Sequence, residues 1–459
     1  MNLLTLNKKI TERQRRAFWL ALLFFNLCVQ GLKQINSVLV AFLPLEVFFA
    51  LNLLALGLCL LNRVYEKKNV YLLGLAFIVW YTVSFFAKTE ISSFRERGMF
   101  TVALLISAWG LALPFVTLTD DFDKKRALNG VFSVLTVVLT IAVWAALIPA
   151  FMGTSFTLHG SDKAFGIIKK ISWTGYVKYK YPVVFGLHYY YTAYLSVLGF
   201  FMALYLFVQK KMRPLMLFGM IGFVLATSLT KCRLALLGFG LGLFTIGFFL
   251  FRHKNRDASP GKMILAGAVI ALLAAACLTL MWQFGTRAGE VILDGKQNVY
   301  LERDFSENLH DGNERLELWA MIPELLEAYA PSSYLFGIRE DALYTLIYNL
   351  QGMNHMHSGY FSALMLMGLP GFLMSLVFLF KTVKDLLTVF LKMKTRDVSP
   401  ENILLLSIPV CFLLAALGEP ILFVGSTFRM ITLVCYLVFG YVFELADRIR
   451  KEEQSCGNS

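Results

Sequence analysis

Long apolar runs separated by short clusters of charge dominate the chain, and most have the length that crosses a bilayer rather than that of a soluble helix or strand. Runs of roughly 17–25 residues, the reach of a helix through hydrocarbon, occur near 18–32, 38–61, 70–87, 99–118, 127–152, 183–208, 214–230, 234–251, 263–283, 358–380, 402–418 and 421–445. They predict an all-α, polytopic membrane protein with about twelve transmembrane helices, of which the first and seventh are short. Between the ninth and tenth runs the pattern breaks for 284–357, a large loop with periodicities of its own. Glu314 to Tyr329 is helix-like, with an expected kink at Pro323. Leu343, Leu346, Ile347 and Leu350 recur at i, i+3, i+4 and i+7, the stripe of a helix lying on the bundle or on the membrane surface.

Composition agrees with this pattern and narrows the class. With 58% hydrophobic residues, 16% charged residues and a mean hydropathy of +0.64, the chain cannot be a water-soluble domain of 459 residues. There is no internal repeat and no low-complexity linker, so residues 1–459 read as a single integral membrane domain carrying the 284–357 loop. The seven cysteines show no paired spacing that would mark a disulfide framework or a metal site.

Charge sets the orientation. Lys and Arg concentrate in the loops that fall on the side of the two termini, although the opposite loops are longer in total. The positive-inside rule then places both termini in the cytoplasm and the 284–357 loop outside. The basic start, with Lys8, Lys9, Arg13, Arg15 and Arg16, precedes an apolar run without a small-x-small cleavage site, and reads as a retained first helix. The net charge of +13 is largely this lipid-facing surplus, so it points to membrane lipids and not to nucleic acid.

Several polar residues stand where an apolar chain needs a reason for them. His357 lies at the start of the tenth run, at a water–lipid boundary where an imidazole stays solvated and titrates near neutral pH. Arg233 sits at the outer mouth of the eighth run, and Arg315 opens the loop helix that carries Trp319 one turn later. Arg339 and His355 follow. Clustered guanidinium groups suit a diphosphate, because arginine forks bind phosphate oxygens bidentately and stay charged. Glu46 and Arg429 lie at matching depth, about 12 Å in from the outer ends of their runs, and their opposite signs suggest a structural ion pair. His188 adds a polar group to the same outer half. A second outer loop, 153–182, is rich in lysine and aromatic residues (Lys163, Lys169, Lys170, Trp173, Lys178, Lys180) and reads as a solvated basic loop. Asp121-Phe122-Asp123 has the spacing of a metal-bound nucleotide-sugar site, but it sits in a short inside loop beside Lys124, Lys125 and Arg126, where a self-neutralising solvated segment is the simpler reading.

Three of these segments together resemble the O-antigen ligase and polymerase family of bacterial envelope glycosyltransferases. His357-Ser358, then nine residues, then Gly368-Leu369-Pro370-Gly371 is similar to that family's His-[Asn/Ser/Gln]-x9-Gly-x-x-Gly signature. Leu229-Thr230-Lys231-Cys232-Arg233 resembles its Leu-Thr-x-Ser-Arg segment, with cysteine where serine is usual. Arg315-Leu316-Glu317-Leu318-Trp319 resembles its Arg-x-x-x-Trp segment at the opening of the large periplasmic loop. Gly337-Ile338-Arg339 stands in place of a Gly-x-Gly common in the family. The resemblance implies a GT-C-like helical fold in the bacterial inner membrane, a glycan donor carried on undecaprenyl diphosphate, and a glycan or lipid-core acceptor.

The residues fit such a transfer directly. A polyprenyl diphosphate already activates the anomeric carbon, so His357 is the candidate base for the acceptor hydroxyl, a role commonly contributing about 10²–10⁴ in rate. Arg233, Arg315, Arg339 and His355 are candidates for holding the diphosphate and stabilising its departing charge without a metal or cofactor. The spacing alone does not separate ligase from polymerase, nor His355 from His357 as the base. The rival from another class is a lipid-linked oligosaccharide flippase, for which many spans and intramembrane charges are equally natural. Against it stand the clustering of polar groups in the outer half, the single dominant outer loop and the lack of corresponding halves.

Overall fold

A computed structural model of the chain describes residues 12–35, 44–89, 93–94, 98–117, 121–157, 164–171, 177–184, 189–255, 257–293, 315–351, 356–392, 399–424 and 429–457. The helices are α1 (Glu12–Ile35), α2 (Leu45–Leu61), α3 (Asn69–Lys88), α4 (Met99–Leu105, continued as a π-helix over Ile106–Ala112), α5 (Asp121–Phe151), α6 (Tyr189–Val208), α7 (Arg213–Thr230), α8 (Arg233–Lys254) and α9 (Pro260–Leu293). After the large loop come α10 (Ile322–Tyr329), α11 (Ser333–Phe336), α12 (Glu340–Gln351), α13 (Gly359–Lys392), α14 (Pro400–Gly418) and α15 (Arg429–Gly457). Nine of the described helices, α3, α5 to α9 and α13 to α15, are long and apolar enough to cross a membrane, and the chain is an integral membrane protein. Shorter apolar stretches at Ala17–Gln30, Leu45–Leu61 and Met99–Ala112 fall on the remaining runs read from the sequence.

The structure is mostly helical but not purely so. Residues expected to form a solvated basic loop instead contribute a three-stranded antiparallel sheet, β1 (Ser155–Thr157), β2 (Ala164–Ile171) and β3 (Val177–Val183), in the order β1-β2-β3. Phe156 stacks on Phe165 with centroids 5.1 Å apart, and Phe165 and Val183 are buried. Gly166 has φ +103, and a side chain there would meet Thr154 O at 2.6 Å, so β2 turns a bulge at that point. Lys169, Lys170, Lys178 and Lys180 are strand residues, while Lys163 and Trp173 lie outside the described residues. Asp121 and Asp123 stand in the first turn of α5 and not in the short loop expected for them.

Polar side chains inside the bundle are placed where helices must be registered. Ser107, in the π-helical turn, donates toward Asn52 Oδ1 at 2.8 Å and also neighbours Asn26, latching α1, α2 and α4 together. Trp109, fully buried, packs on Phe77, Phe378 and Tyr436 with centroids 4.8 Å away in each case, which unites α3, α4, α13 and α15. At the Lys68 end of the bundle, Lys68 meets Glu444 at 2.9 Å and also Asp447, Arg450 bridges Asp447 at 2.6 Å, and the fully buried Asp385 is held by both Lys381 and Arg450. Buried carboxylates persist only with such partners. Helix α9 differs: it packs on α7 and α8, yet no residue of its most apolar window is fully buried, and Ile264, Leu265, Leu272 and Leu273 stand exposed.

The run expected as one span at 358–380 is a helix that continues to Lys392 and is interrupted inside the Gly368-Leu369-Pro370-Gly371 segment. Pro370 cannot donate an N–H, and Gly368 adopts φ +69, a conformation costly to any residue with a Cβ. The carbonyls freed by the break are taken up by neighbours. Ile338 N–H donates to Met365 O at 2.6 Å and Trp80 Nε1–H to Met367 O at 2.8 Å, while Ser84 and Lys88 supply Leu366 O. Lys88 also donates to Phe336 O at 3.0 Å. Gly337, at φ +76, fits only because it lacks a side chain, since a Cβ would sit 2.5 Å from the Leu366 carbonyl carbon.

A Cβ at Gly368 would collide with the Leu335 carbonyl in addition to the cost of its positive φ. Gly368→Ala is therefore expected to destabilise the protein by about 1–3 kcal/mol, seen as a lower melting temperature in detergent and reduced membrane abundance. A melting temperature equal to that of the wild type would show that the break is not strained.

Candidate active site

Each of the three sequence segments is shaped by a local need that also positions a functional side chain. Ser358 starts α13: it is buried, its hydroxyl accepts the Phe361 N–H at 3.4 Å, and its carbonyl accepts the Ser362 N–H at 2.9 Å. His357, immediately before it, has φ +48. A non-glycine residue in the left-handed region is uncommon and is found where surrounding structure enforces it. The enforcement comes from Trp319, whose indole N–H donates to Met356 O at 2.8 Å and pins the backbone just before the histidine.

The Arg-x-x-x-Trp spacing now has a geometric meaning. Residues 315–320 form a helical turn that ends at Met321, with Pro323 in the first turn of α10, so the expected kink is a break placed ahead of the proline. Residues four apart share a helix face, and on that face Trp319 reaches the backbone of Met356 while Arg315 reaches the end of α14. Arg315 donates from Nη1 to Gly418 O at 3.1 Å, and its Nη2 lies 3.4 Å from Glu419 Oε1. His357 Nδ1 lies 3.8 Å from the same carboxylate oxygen. Arg315 and His357 thus meet at Glu419, which is only 4% exposed on its side chain while Arg315 is 29% and His357 17% exposed. A buried acid is bracketed by two groups that still reach solvent.

The Leu-Thr-Lys-Cys-Arg segment forms the tight connection between α7 and α8. Lys231 caps α7 in a left-handed conformation, φ +47, and its ammonium lies 4.6 Å from the centre of the Trp282 ring on α9. Burial draws the Lys231 ammonium below its ordinary range, opposed by Glu290 and reinforced by the like charge of Arg233. Arg233 is the first residue of α8 and half-buried. Cys232 between them is buried against Tyr194, Arg315 and Glu419, and burial pushes its thiol up to about 12, outweighing the Ala235 backbone amide that lowers it. It is held as a neutral thiol and is no nucleophile.

Other residues singled out in the sequence lie elsewhere. Arg339 is exposed, paired with Asp341 at 2.6 Å, and lines a small pocket with Tyr81, Lys88 and Glu340 beside the α13 break. Arg429 does not pair with Glu46 among the ion pairs of the described residues. Its guanidinium stacks over the Phe100 ring at 4.3 Å, within electrostatic reach of Glu340, Tyr344 and Tyr191, whereas Glu46 stands on the exposed face of α2. Matching depth fixes position along the membrane normal but not around each helix axis. His355 and His188 lie outside the described residues. The stripe over α12 is placed as expected, with Leu343 and Ile347 buried and Leu346 partly so.

Glu419 is the member of the cluster that sequence reading missed. The signal was present: it is the only acid between Asn402 and Phe443, in a Gly-Glu-Pro step where a helix must stop. A carboxylate alone in so long an apolar stretch needs a cation, and counting only basic residues in the loops passed over it.

Because Cys232 is buried and protonated, it is expected to resist N-ethylmaleimide at pH 7–8 in the folded protein and to react once sodium dodecyl sulfate unfolds it. Substantial labelling of Cys232 in the native state, read by peptide mass spectrometry, would contradict its placement against Tyr194 and Glu419.

Comparison with known proteins adds an independent observation. No curated protein matches the chain. Residues 215–376 match the family model described as O-antigen ligase. That segment runs from α7 through the α13 break and contains Arg233, Arg315 and His357, and the match supports the O-antigen ligase and polymerase family.

Proposed function

We propose that the protein is a membrane glycosyltransferase that moves glycan from undecaprenyl diphosphate to an acceptor sugar hydroxyl on the extracytoplasmic face of the bacterial inner membrane, as a surface polysaccharide ligase or polymerase. The family indicates polysaccharide ligase or polymerase activity on a lipid-linked glycan and an acceptor. The observation that carries the finer reading is the meeting of His357 and Arg315 at one buried carboxylate, at the end of the bundle where the large loop packs. The proposal includes about twelve spans in a GT-C-like arrangement, with both termini cytoplasmic.

In this reading the acceptor oxygen attacks the anomeric carbon while the bond from that carbon to the diphosphate oxygen breaks. The hydroxyl proton passes to the imidazole of His357, and the diphosphate leaves with the bonding electron pair. Displacement in one step inverts the anomeric configuration. Arg315 and Arg233 stabilise the charge gathering on the leaving group: the contacts of Arg315 to Gly418 and Glu419 occupy only part of its donor fork. No metal has a part in these steps. Arg339, beside the break and tied to Asp341, is assigned a supporting place at the donor's approach and not at the reacting atoms.

His357→Ala is expected to abolish glycan transfer with membrane abundance near normal, since a half-buried imidazole contributes little packing. Arg315→Lys and Arg233→Lys are expected to lower turnover on purified lipid-linked donor by about tenfold or more, because a point charge does not reproduce a bidentate fork. Wild-type glycan in a His357→Ala strain would exclude the histidine as base. Retained turnover in both lysine variants would make the arginines headgroup contacts.

Orientation underlies every role above. A cysteine placed at Asn308, outside the described residues, is expected to react with an impermeant thiol reagent on intact cells in a background stripped of other cysteines, and Cys456 restored alone is not. The opposite labelling would put His357 in the cytosol, out of reach of a flipped donor, and the ligase and polymerase readings would fall together.

A further inference from the structure

Glu419 sits where electrostatics alone would not put an acid. It follows the last turn of α14, where the helix dipole is negative and disfavours a carboxylate. Its backbone is nonetheless fixed there, with its N–H donating to Ala415 O at 2.9 Å and its carbonyl accepting the Ile421 N–H at 2.8 Å. Pro420 follows at once and keeps Glu419 in an extended backbone conformation just past the helix end. The carboxylate is almost fully buried, so its charge has to be matched by groups that face it. Among the described residues those are Arg315 from the large loop, at 3.4 Å, and His357 from the turn before α13, at 3.8 Å; the neutral thiol of Cys232 from the α7–α8 turn and Tyr194 from α6 also face it.

We infer that Glu419 is the positioning residue of the reaction, selecting which nitrogen of His357 acts as base and balancing the imidazolium that forms when the proton is taken. The inference rests on the reading of His357 as base. Nδ1 is the nitrogen turned toward Glu419, which leaves Nε2 directed away from it, toward the acceptor. The 3.8 Å separation exceeds a hydrogen bond and lies within ion-pair reach. The pairing therefore strengthens as the ring gains its proton, so its effect is larger in the transition state than in the resting enzyme. Arg315 on the same oxygen holds the carboxylate in place, and ties the base to the residue assigned to the leaving group. The left-handed backbone at His357 and the Trp319 bond to Met356 hold the ring in that orientation from the other side.

The test is steady-state turnover of the full-length protein in lipid nanodiscs, using lipid-diphosphate-linked glycan extracted from membranes of the native cells. Glu419→Gln keeps shape and removes charge: kcat is expected to fall by about 10- to 100-fold, with the donor KM changed by less than about threefold if Glu419 acts through the base. Glu419→Asp restores the charge and is expected to recover about tenfold of the lost kcat. A Glu419→Gln enzyme with wild-type kcat, or a loss confined to donor KM, or a Glu419→Asp enzyme no better than Glu419→Gln, overturns the assignment. Should Glu419→Gln fail to reach the membrane, the split is read on Glu419→Asp, where a kcat loss at unchanged KM supports it and a loss confined to KM overturns it. His357→Ala measured alongside separates the two readings: full turnover in that variant removes the base itself, whereas an inactive His357→Ala beside a wild-type Glu419→Gln removes only Glu419.

Discussion

A helix broken in the packed interior leaves buried carbonyls without their helical partners, and satisfying them constrains everything near the break in α13. Met365, Leu366 and Met367 are buried and lose their continuing helical partners at Gly368, and each buried group left unsatisfied would cost about 1–3 kcal/mol. The donors that replace them come from two distant places in the chain: Trp80, Ser84 and Lys88 on α3, and the Ile338 amide in the large loop. The loop is consequently tied to the transmembrane bundle by backbone hydrogen bonding and not merely laid over it. Gly337 and Gly368 are the two positions at which that approach is sterically possible.

This constraint reaches the candidate site through a short lever. The first segment of α13 runs only from Gly359 to the break, so fixing Met365 to Met367 fixes the start of the helix and with it His357. From the other direction the same loop delivers Trp319 to Met356 and Arg315 to Glu419. The histidine is held between an anchored helix segment and an anchored loop helix, which is what a left-handed backbone at a non-glycine residue requires. Cys232 and Tyr194 face Glu419 with uncharged groups, and among the described residues its charged partners are Arg315 and His357.

Much of this was legible in the sequence, for reasons that also explain what was not. Apolar run length is fixed by bilayer thickness, so the spans could be read without knowing their partners, and the nine long helices and three shorter ones fall where those runs lie. The order of Leu229–Arg233, Arg315–Trp319 and His357–Gly371 carried the family, which the match over 215–376 supports. Azimuth around a helix axis leaves no comparable trace when every face is apolar, and Arg429 accordingly stacks on Phe100 instead of meeting Glu46. The strands were missed by weighing charge above period: Val177-Lys178-Tyr179-Lys180-Tyr181 alternates with the period of two that a strand shows, yet its lysines suggested solvent. Glu419 was passed over because a lone acid just past a helix end carries no periodicity.

The distribution of charge along the bundle follows from what each end has to do. Around Lys68, Asp385, Glu444, Asp447 and Arg450, acids and bases are interleaved and close to one another, tying α3, α13 and α15 together. Such mutual neutralisation stiffens a junction and leaves little net field for a ligand. At the His357 end Glu419 is likewise buried against partly exposed cationic partners, but the further charges are cations: Lys231 and Arg233 stand nearby, with Glu290 as their acidic neighbour. A surface that presents cations outward over a hidden carboxylate attracts an anionic group while keeping a counter-charge ready for a proton arriving on the histidine. Both ends are built on a buried carboxylate with partly exposed cationic partners; what differs is the company, since Glu444 and Asp447 add acids around Lys68 while Lys231 and Arg233 add cations near Glu419.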